Sequence, residues 1–287
     1  MKGSIVAIVT PMLENGEVDF DSFKKLLSFH EENNTDGIVL VGTTGESATL
    51  SANEREEIFK FAVAETEIPL MAGVGSSSTK EACRLVEIAA KSGISECLAV
   101  TPYYNKPTQE GLYQHYKKIN DSVSIPIIIY NIPSRSVIDM SVETMSKLYE
   151  LKNITGVKDA TGDLNRVDQQ LKAMGKDFIQ LTGNDDNALE FNKRGGVGAI
   201  GVTANIAAKI SSDFQKACEQ KNEEAETLDK LLQPLHSALF IESNPSPVKY
   251  AASLLGMCNP SVRLPLVEIR EETKKKVSEA LKVAKLL

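Results

Sequence analysis

One lysine, Lys158, interrupts the apolar run ITGVKDA at residues 154–160. In a buried strand such a side chain points into the interior, where its charge is costly, or, after a slip in alternation, toward solvent. Burial favours the neutral amine, and the neutral amine is the species that attacks a carbonyl carbon to form an imine. For a lysine taken alone, snorkelling at a rim to meet a carboxylate is the ordinary role. Its potential neighbours argue otherwise. Three further runs end in VGTTGES (41–47), TPYYN (101–105) and YNIPSR (130–135), which bring in Thr43, Thr44, Tyr104, Tyr130 and Arg135. Hydroxyls and loop amides at Thr43 and Thr44 suit a carboxylate. Tyr130, Tyr104 and Thr44 can pass a proton between substrate and water without a histidine, although each tyrosine alone is more often a core or rim residue. Arg135 can fork onto a second carboxylate, against the ordinary role of a surface ion-pair partner. Together these types could supply what an imine of a 2-keto acid needs, donors for its carboxylate and a proton shuttle.

Other chemistries find less support. His30, His115 and His236 are isolated and offer no ligand spacing, so no catalytic metal is expected. Cys83, Cys97, Cys218 and Cys258 form no CxxC pair and read as reduced thiols of an intracellular chain. A formal charge of −7 argues against binding nucleic acid or an anionic membrane. The apolar run in MKGSIVAIVTPM ends at Pro11, too short for a secretory segment or a membrane span, and reads as a strand of a cytoplasmic protein. Gly196-x-Gly198-x-x-Gly201 spells a dinucleotide fingerprint but lies inside an expected strand rather than between strand and helix. Ser47 lacks the second glycine of a nucleophile elbow and has no evident histidine partner. Lys249 follows Pro247 at an expected helix start and is a poorer imine former than Lys158. Lys274, Lys275 and Lys276 follow Glu271 and Glu272, the pattern of a solvated helix face.

The elements that must position these groups alternate regularly. Short apolar runs at 4–10, 37–42, 69–75, 97–102, 126–133, 154–160, 178–184 and 197–205 mostly lack polar alternation, as do strands covered on both faces. Between them, residues 21–33, 53–65, 79–92, 109–121, 141–151, 164–174 and 187–194 carry apolar residues at helical spacing. Ser51-x-x-Glu54 is a capping-box pattern at one of the starts. Eight such units predict a closed (β/α)8 barrel, with the site at the carboxyl ends of the strands. Residues 206–221 supply the last barrel helix. Only helices are expected afterwards, at 223–241, from the turn at 244–247, and after Pro265. This divides the chain into a catalytic barrel, 1–221, and a C-terminal helical domain, 222–287.

The segments SIVAIVTPM, VGTTGESATL, TPYYNKPTQEGLYQH, YNIPSR, GVKDATG, GVTAN, NPSPVK and RLPL occur in this order along nearly the whole chain. In them the sequence resembles the dihydrodipicolinate synthase and N-acetylneuraminate lyase family of pyruvate-dependent aldolases. The resemblance implies a Schiff base between pyruvate and Lys158, with no other cofactor, and a proton relay of Tyr130, Thr44 and Tyr104. It implies that Tyr104 reaches into the neighbouring subunit's site, so that the chain is at least a dimer, and family members are usually homotetramers built as two tight dimers. Thr43 and Thr44 would hold the pyruvate carboxylate, and backbone groups of Gly183 and Ile200 would line the site. Arg135 would bind the carboxylate of L-aspartate 4-semialdehyde, giving 4-hydroxytetrahydrodipicolinate on the lysine pathway.

Departures from the family pattern are few. Ser136 stands where threonine often follows the arginine, and Asp159 where glutamate often follows the lysine. In the pocket where lysine-inhibited relatives bind their inhibitor, Ser47, Ala48, Glu81 and Tyr103 match, whereas Ala52, Arg55 and Ser77 replace two histidines and an asparagine. A fixed positive charge at Arg55 should oppose a ligand bearing ammonium groups, so weak or absent lysine inhibition is expected. The alternative within the superfamily is a sialic-acid or keto-deoxy-sugar aldolase. Arg135 argues against it, because a polyhydroxylated substrate wants neutral partners there. A non-catalytic keto-acid-binding barrel is disfavoured by the joint presence of Lys158, Tyr130, Thr44 and Tyr104.

Overall fold

Eight short strands pair in sequence order into a closed parallel barrel in the computed structural model, which describes all 287 residues. They are β1 (Gly3–Ala7), β2 (Gly37–Leu40), β3 (Leu70–Gly73), β4 (Glu96–Val100), β5 (Ile127–Asn131), β6 (Ile154–Asp159), β7 (Ile179–Thr182) and β8 (Gly198–Gly201). β1 pairs with both β2 and β8, which closes the ring. Helices follow the strands: α1 (Phe20–Glu32), α2 (Ala52–Glu65), α3 (Thr79–Lys91), α4 (Gln109–Asn120), the single turn α5 (Pro133–Ser136), α6 (Val142–Tyr149), α7 (Asn165–Met174), α8 (Ala188–Lys193) and α9 (Ala208–Glu219). Three more, α10 (Glu224–Ala238), α11 (Ser246–Leu254) and α12 (Glu271–Val283), complete the chain.

Side-chain alternation sorts the apolar runs into two cores. Ile5, Val39, Met71, Leu98, Ile128, Leu181 and Ile200 fill the inside of the barrel. Val6, Ile38, Ala72, Ile127, Ile129 and Val157 point outward beneath the helices. This two-sided burial is why the runs lack polar positions. Asp19, Ser51, Ser78, Thr108 and Ser141 cap their helices by accepting a backbone amide three residues on. At Ser51 the carboxylate of Glu54 also takes the Ser51 amide, completing the capping box read from the sequence.

Three local features differ from the expected elements. The turn α5 begins at Pro133, whose missing amide suits a first helical position, and no helical periodicity announces it. The eighth strand stops at Gly201 rather than at 205. There the Asp185 carboxylate takes the amides of Val202 at 2.7 Å and Thr203 at 3.1 Å and turns the chain into a 3-10 turn. Likewise the helix expected at 187–194 is preceded by a 3-10 turn, Asp185–Asn187. Gly198 lies within β8, where an added Cβ would come within 2.3 Å of the Gly3 carbonyl. That glycine of the apparent dinucleotide fingerprint therefore serves close strand packing.

Leu232 and Leu235 of α10, Val248 and Ala251 of α11, and Val277 and Leu281 of α12 join the outer core of the barrel. No helix is long and apolar enough to cross a membrane.

Candidate active site

Lys158 lies on the inward face of β6, only 5% exposed. Strand register sets it beside Tyr130 of β5, itself on the inner face, and its Nζ sits 4.3 Å from the Tyr130 ring centroid. The pairing of β5 with β6 shifts between Ile127 and Ile128, and past that irregularity Lys158 faces the barrel interior rather than solvent. No carboxylate lies within ion-pair distance of it. Asp159, next in sequence, faces the other way: its oxygens accept from Arg166 Nε at 2.9 Å, Gln170 Nε2 at 3.0 Å and the Thr161 hydroxyl at 2.6 Å. An amine under an aromatic face, with no internal partner, is free to react with a carbonyl brought to it.

Space for Lys158 comes from Gly183, just past β7. A Cβ there would meet Lys158 Cε at 2.9 Å and Ala160 Cβ at 2.7 Å. The Gly183 amide donates to the Asp159 carbonyl, so any contact it makes to a ligand comes from its carbonyl side. Gly183 and Ala160 also line a cavity of about 350 Å³ at the carboxyl ends of the strands, with Arg135, Asp185 and Phe240 among the other walls. That volume falls in the range that holds small ligands. Arg135, exposed on α5, has no acid within ion-pair distance, so the surface-pair role weighed for it is not found. Ile200 is buried on β8 inside the barrel.

Thr43 and Thr44 lie in the loop after β2, Thr43 half-buried and Thr44 buried. The loop is held in an unusual shape, with Val41 and Glu46 both in the left-handed region at φ 54° and 58°. Non-glycine residues remain there only where surrounding contacts over-determine them. Those contacts come from the far end of the chain. Lys249 of α11, wholly buried, donates to Glu46 Oε1 at 2.5 Å and to the Ser261 carbonyl at 2.6 Å. The Arg263 amide donates to Glu46 Oε2 at 2.9 Å, and its guanidinium bonds the Gly16 and Thr49 carbonyls and Glu54. Asn244 Nδ2 donates to Thr44 Oγ1 at 3.0 Å. Sequence reasoning gave no role to Glu46 or Asn244 and treated Lys249 only as a weaker nucleophile. The available signal was an acid beside the paired threonines, which needs a cation once buried.

Tyr104 is not brought to this site. It is 90% exposed, at φ 74°, on the loop after β4. Its neighbour Tyr103 lies toward Arg55. The Arg55 guanidinium is half-buried and donates to the carbonyls of Ser47 at 2.5 Å and Leu50 at 3.3 Å. Burial lowers its pKa, opposed by the charges of Tyr103 and Glu81. Ser47, Arg55, Glu81 and Tyr103 thus share one neighbourhood. Ala48 is exposed and Ala52 half-buried, while the Ser77 carbonyl accepts from Asn105 Nδ2 at 2.9 Å. Nowhere do three or more His, Cys, Asp or Glu side chains gather as metal ligands.

A (β/α)8 barrel with an unpaired lysine on its sixth strand, packed against a glycine that walls a small cavity beside a free guanidinium, has the form of a carbonyl-condensing barrel enzyme. The chain belongs to the dihydrodipicolinate synthetase family, whose profile matches residues 1–284. It is 62% identical to the 4-hydroxy-tetrahydrodipicolinate synthase of Pelagibacter ubique, covering 100% of this chain and 99% of that one. Among solved structures it is similar to the chloride-inhibited dihydrodipicolinate synthase of Acinetobacter baumannii in complex with pyruvate, at TM-score 0.97 and 46% identity over 100% of this chain and 99% of the other. A monomeric dihydrodipicolinate synthase variant also superposes at TM-score 0.97, with 38% identity over 100% of this chain and 98% of the other.

Proposed function

We infer that this chain condenses pyruvate with L-aspartate 4-semialdehyde to give 4-hydroxytetrahydrodipicolinate, in lysine and diaminopimelate biosynthesis, through an imine on Lys158. The observation that carries the reading is the placement of Lys158: buried, inward-facing, under the Tyr130 ring and free of any carboxylate. Family membership supports the choice of substrates.

The neutral amine adds to the pyruvate carbonyl carbon, and the carbinolamine loses water to give an iminium. Loss of a methyl proton gives the enamine, whose carbon attacks the aldehyde carbon while the aldehyde oxygen takes a proton. Attack of the semialdehyde's own amine on the iminium carbon closes the ring and frees Lys158. Tyr130 and Thr44 carry these protons, with the phenol of Tyr104 completing the relay. Thr43 and Thr44 hold the pyruvate carboxylate, Gly183 and Ile200 line its site, and Arg135 receives the carboxylate of the semialdehyde. The absence of an ion pair at Arg135 supports that role and weighs against a polyhydroxylated substrate.

The same proposal includes a homo-oligomer, a tetramer built as two tight dimers, acting in the cytoplasm. An exposed Tyr104 held at positive φ is what a residue destined for a partner's site would look like. The monomeric relative shows that the fold alone does not dictate assembly. Residues 1–221 form the catalytic barrel and 222–287 a helical domain on it. Because the Arg55 guanidinium sets a fixed positive charge beside Ser47, Tyr103 and Glu81, lysine inhibits weakly or not at all.

Borohydride reduction in the presence of pyruvate tests the reading. A stable mass increase on Lys158 is expected, together with loss of both adduct and condensation in Lys158→Ala. An adduct on another residue, or full condensation in that variant, overturns it.

A further inference from the structure

Thr44 is asked to do two things, hold a carboxylate and pass a proton, and a hydroxyl does either only if its hydrogen points the right way. The chain supplies one partner to it. Asn244, 6% exposed and 200 residues away in sequence, donates from Nδ2 to Thr44 Oγ1 at 3.0 Å, and Thr44 donates to no atom of the chain. An oxygen whose lone pair is already occupied by an N–H directs its own hydrogen elsewhere. Asn244 Oδ1 is buried and accepts nothing from Thr44, so the amide meets the hydroxyl through its donor end. Asn244 itself is firmly placed, five residues before Lys249, whose ammonium is locked to Glu46, two residues after Thr44.

We propose that Asn244 is a positioning residue for the condensation: by donating to Thr44 Oγ1 it leaves the Thr44 hydroxyl as a donor toward substrate and relay. The proposal rests on the reading of the site given above. It makes the segment between α10 and α11 a working part of the active site.

The two possible directions of this hydrogen bond are separated by substitution. Asn244→Ala frees the Thr44 hydroxyl to rotate, and one lost oriented hydrogen bond corresponds to about a tenfold fall in kcat. Asn244→Asp keeps the shape but can only accept at neutral pH, so it draws the Thr44 hydrogen back onto itself and lowers kcat at least as far. In a Thr44→Val background, replacing Asn244 by Ala has no further effect, because the residue acts through that hydroxyl. Thermal melts of each variant separate folding from chemistry, and the near-isosteric aspartate carries the test if the alanine variant does not fold. Wild-type kcat in Asn244→Ala, an aspartate variant faster than the alanine one, or additive losses in the valine background each overturn the proposal. Borohydride trapping of pyruvate by the wild type is run alongside. If no adduct forms on Lys158, the reading of the site has failed. If the adduct forms and any of those three results appears, only the role of Asn244 has failed.

Discussion

Replacing Lys249 by methionine removes a charge that the fold has enclosed completely. Lys249 and Glu46 are 0% and 1% exposed, and the ammonium has two acceptors, Glu46 Oε1 at 2.5 Å and the Ser261 carbonyl at 2.6 Å. Burial holds Lys249 below its ordinary ammonium pKa, with the pairing to Glu46 opposing that shift. In Lys249→Met the Glu46 carboxylate keeps only the Arg263 amide. Stranding one member of a buried pair costs about 3–5 kcal/mol. The orphaned Ser261 carbonyl adds about 1 kcal/mol. Against a total stability of about 5–15 kcal/mol this is a large share. In the double variant Glu46→Gln/Lys249→Met no charge remains buried there. It should be less destabilised than the sum of the two single changes, with a coupling of at least about 2 kcal/mol. Urea unfolding followed by circular dichroism, compared at equal slopes, reads the three values. A loss under about 1 kcal/mol in Lys249→Met, or strict additivity in the double variant, would show that the pair does not hold the loop.

Further tests address the lysine's cavity, the acid limb and regulation. Gly183→Ala should place its methyl 2.9 Å from Lys158 Cε and displace the amine, lowering kcat about tenfold or more while the far-ultraviolet spectrum is kept. Unchanged kcat would show that the lysine tolerates the shift. Burial pushes His30 down to about 3 and His115 to about 4, and both Nε2 atoms are buried without partners. Because these folded values lie below the ordinary one near 6.5, the stability they contribute is complete above about pH 6.5 and is lost as pH falls, by up to about 1.4 kcal/mol per unit each. Urea midpoints taken between about pH 6.5 and 5.5, where most carboxylates stay ionised, should therefore fall in the wild type and flatten in His30→Gln/His115→Gln, and parallel slopes would refute the assignment. Titration with lysine should leave condensation nearly unchanged, and strong inhibition near micromolar levels would show that Arg55 does not block the pocket.

What the sequence disclosed follows from the range of the forces involved. The barrel was legible because two-sided burial leaves its mark on each strand separately, as in PIIIYNIP and ITGVKDA. Lys158 was legible for the same reason: a single charge in such a run has few tolerable positions, and the register with Tyr130 chose the inner one. Caps such as Ser51 with Glu54 are local and were read directly. By contrast, the early end of β8 depends on Asp185, whose bonds to Val202 and Thr203 leave no periodic trace. The bonds from Asn244 to Thr44 and from Lys249 to Glu46 span 200 and 203 residues, and no pattern within a window could show them. Tyr104 was placed in the relay from its position in TPYYN, and its reach into a neighbour's site from family resemblance; within one chain the structure leaves it in solvent.

Setting the β2 loop by means of residues near 244–263 gives translation a completeness check. A nascent chain released after the eighth strand would already contain its nucleophile and most of its cavity walls. It would lack the amide that aims Thr44 and the cation that neutralises Glu46. Products cut short there would lack both, so the last fifth of the polypeptide completes a pocket assembled mainly from the first two thirds.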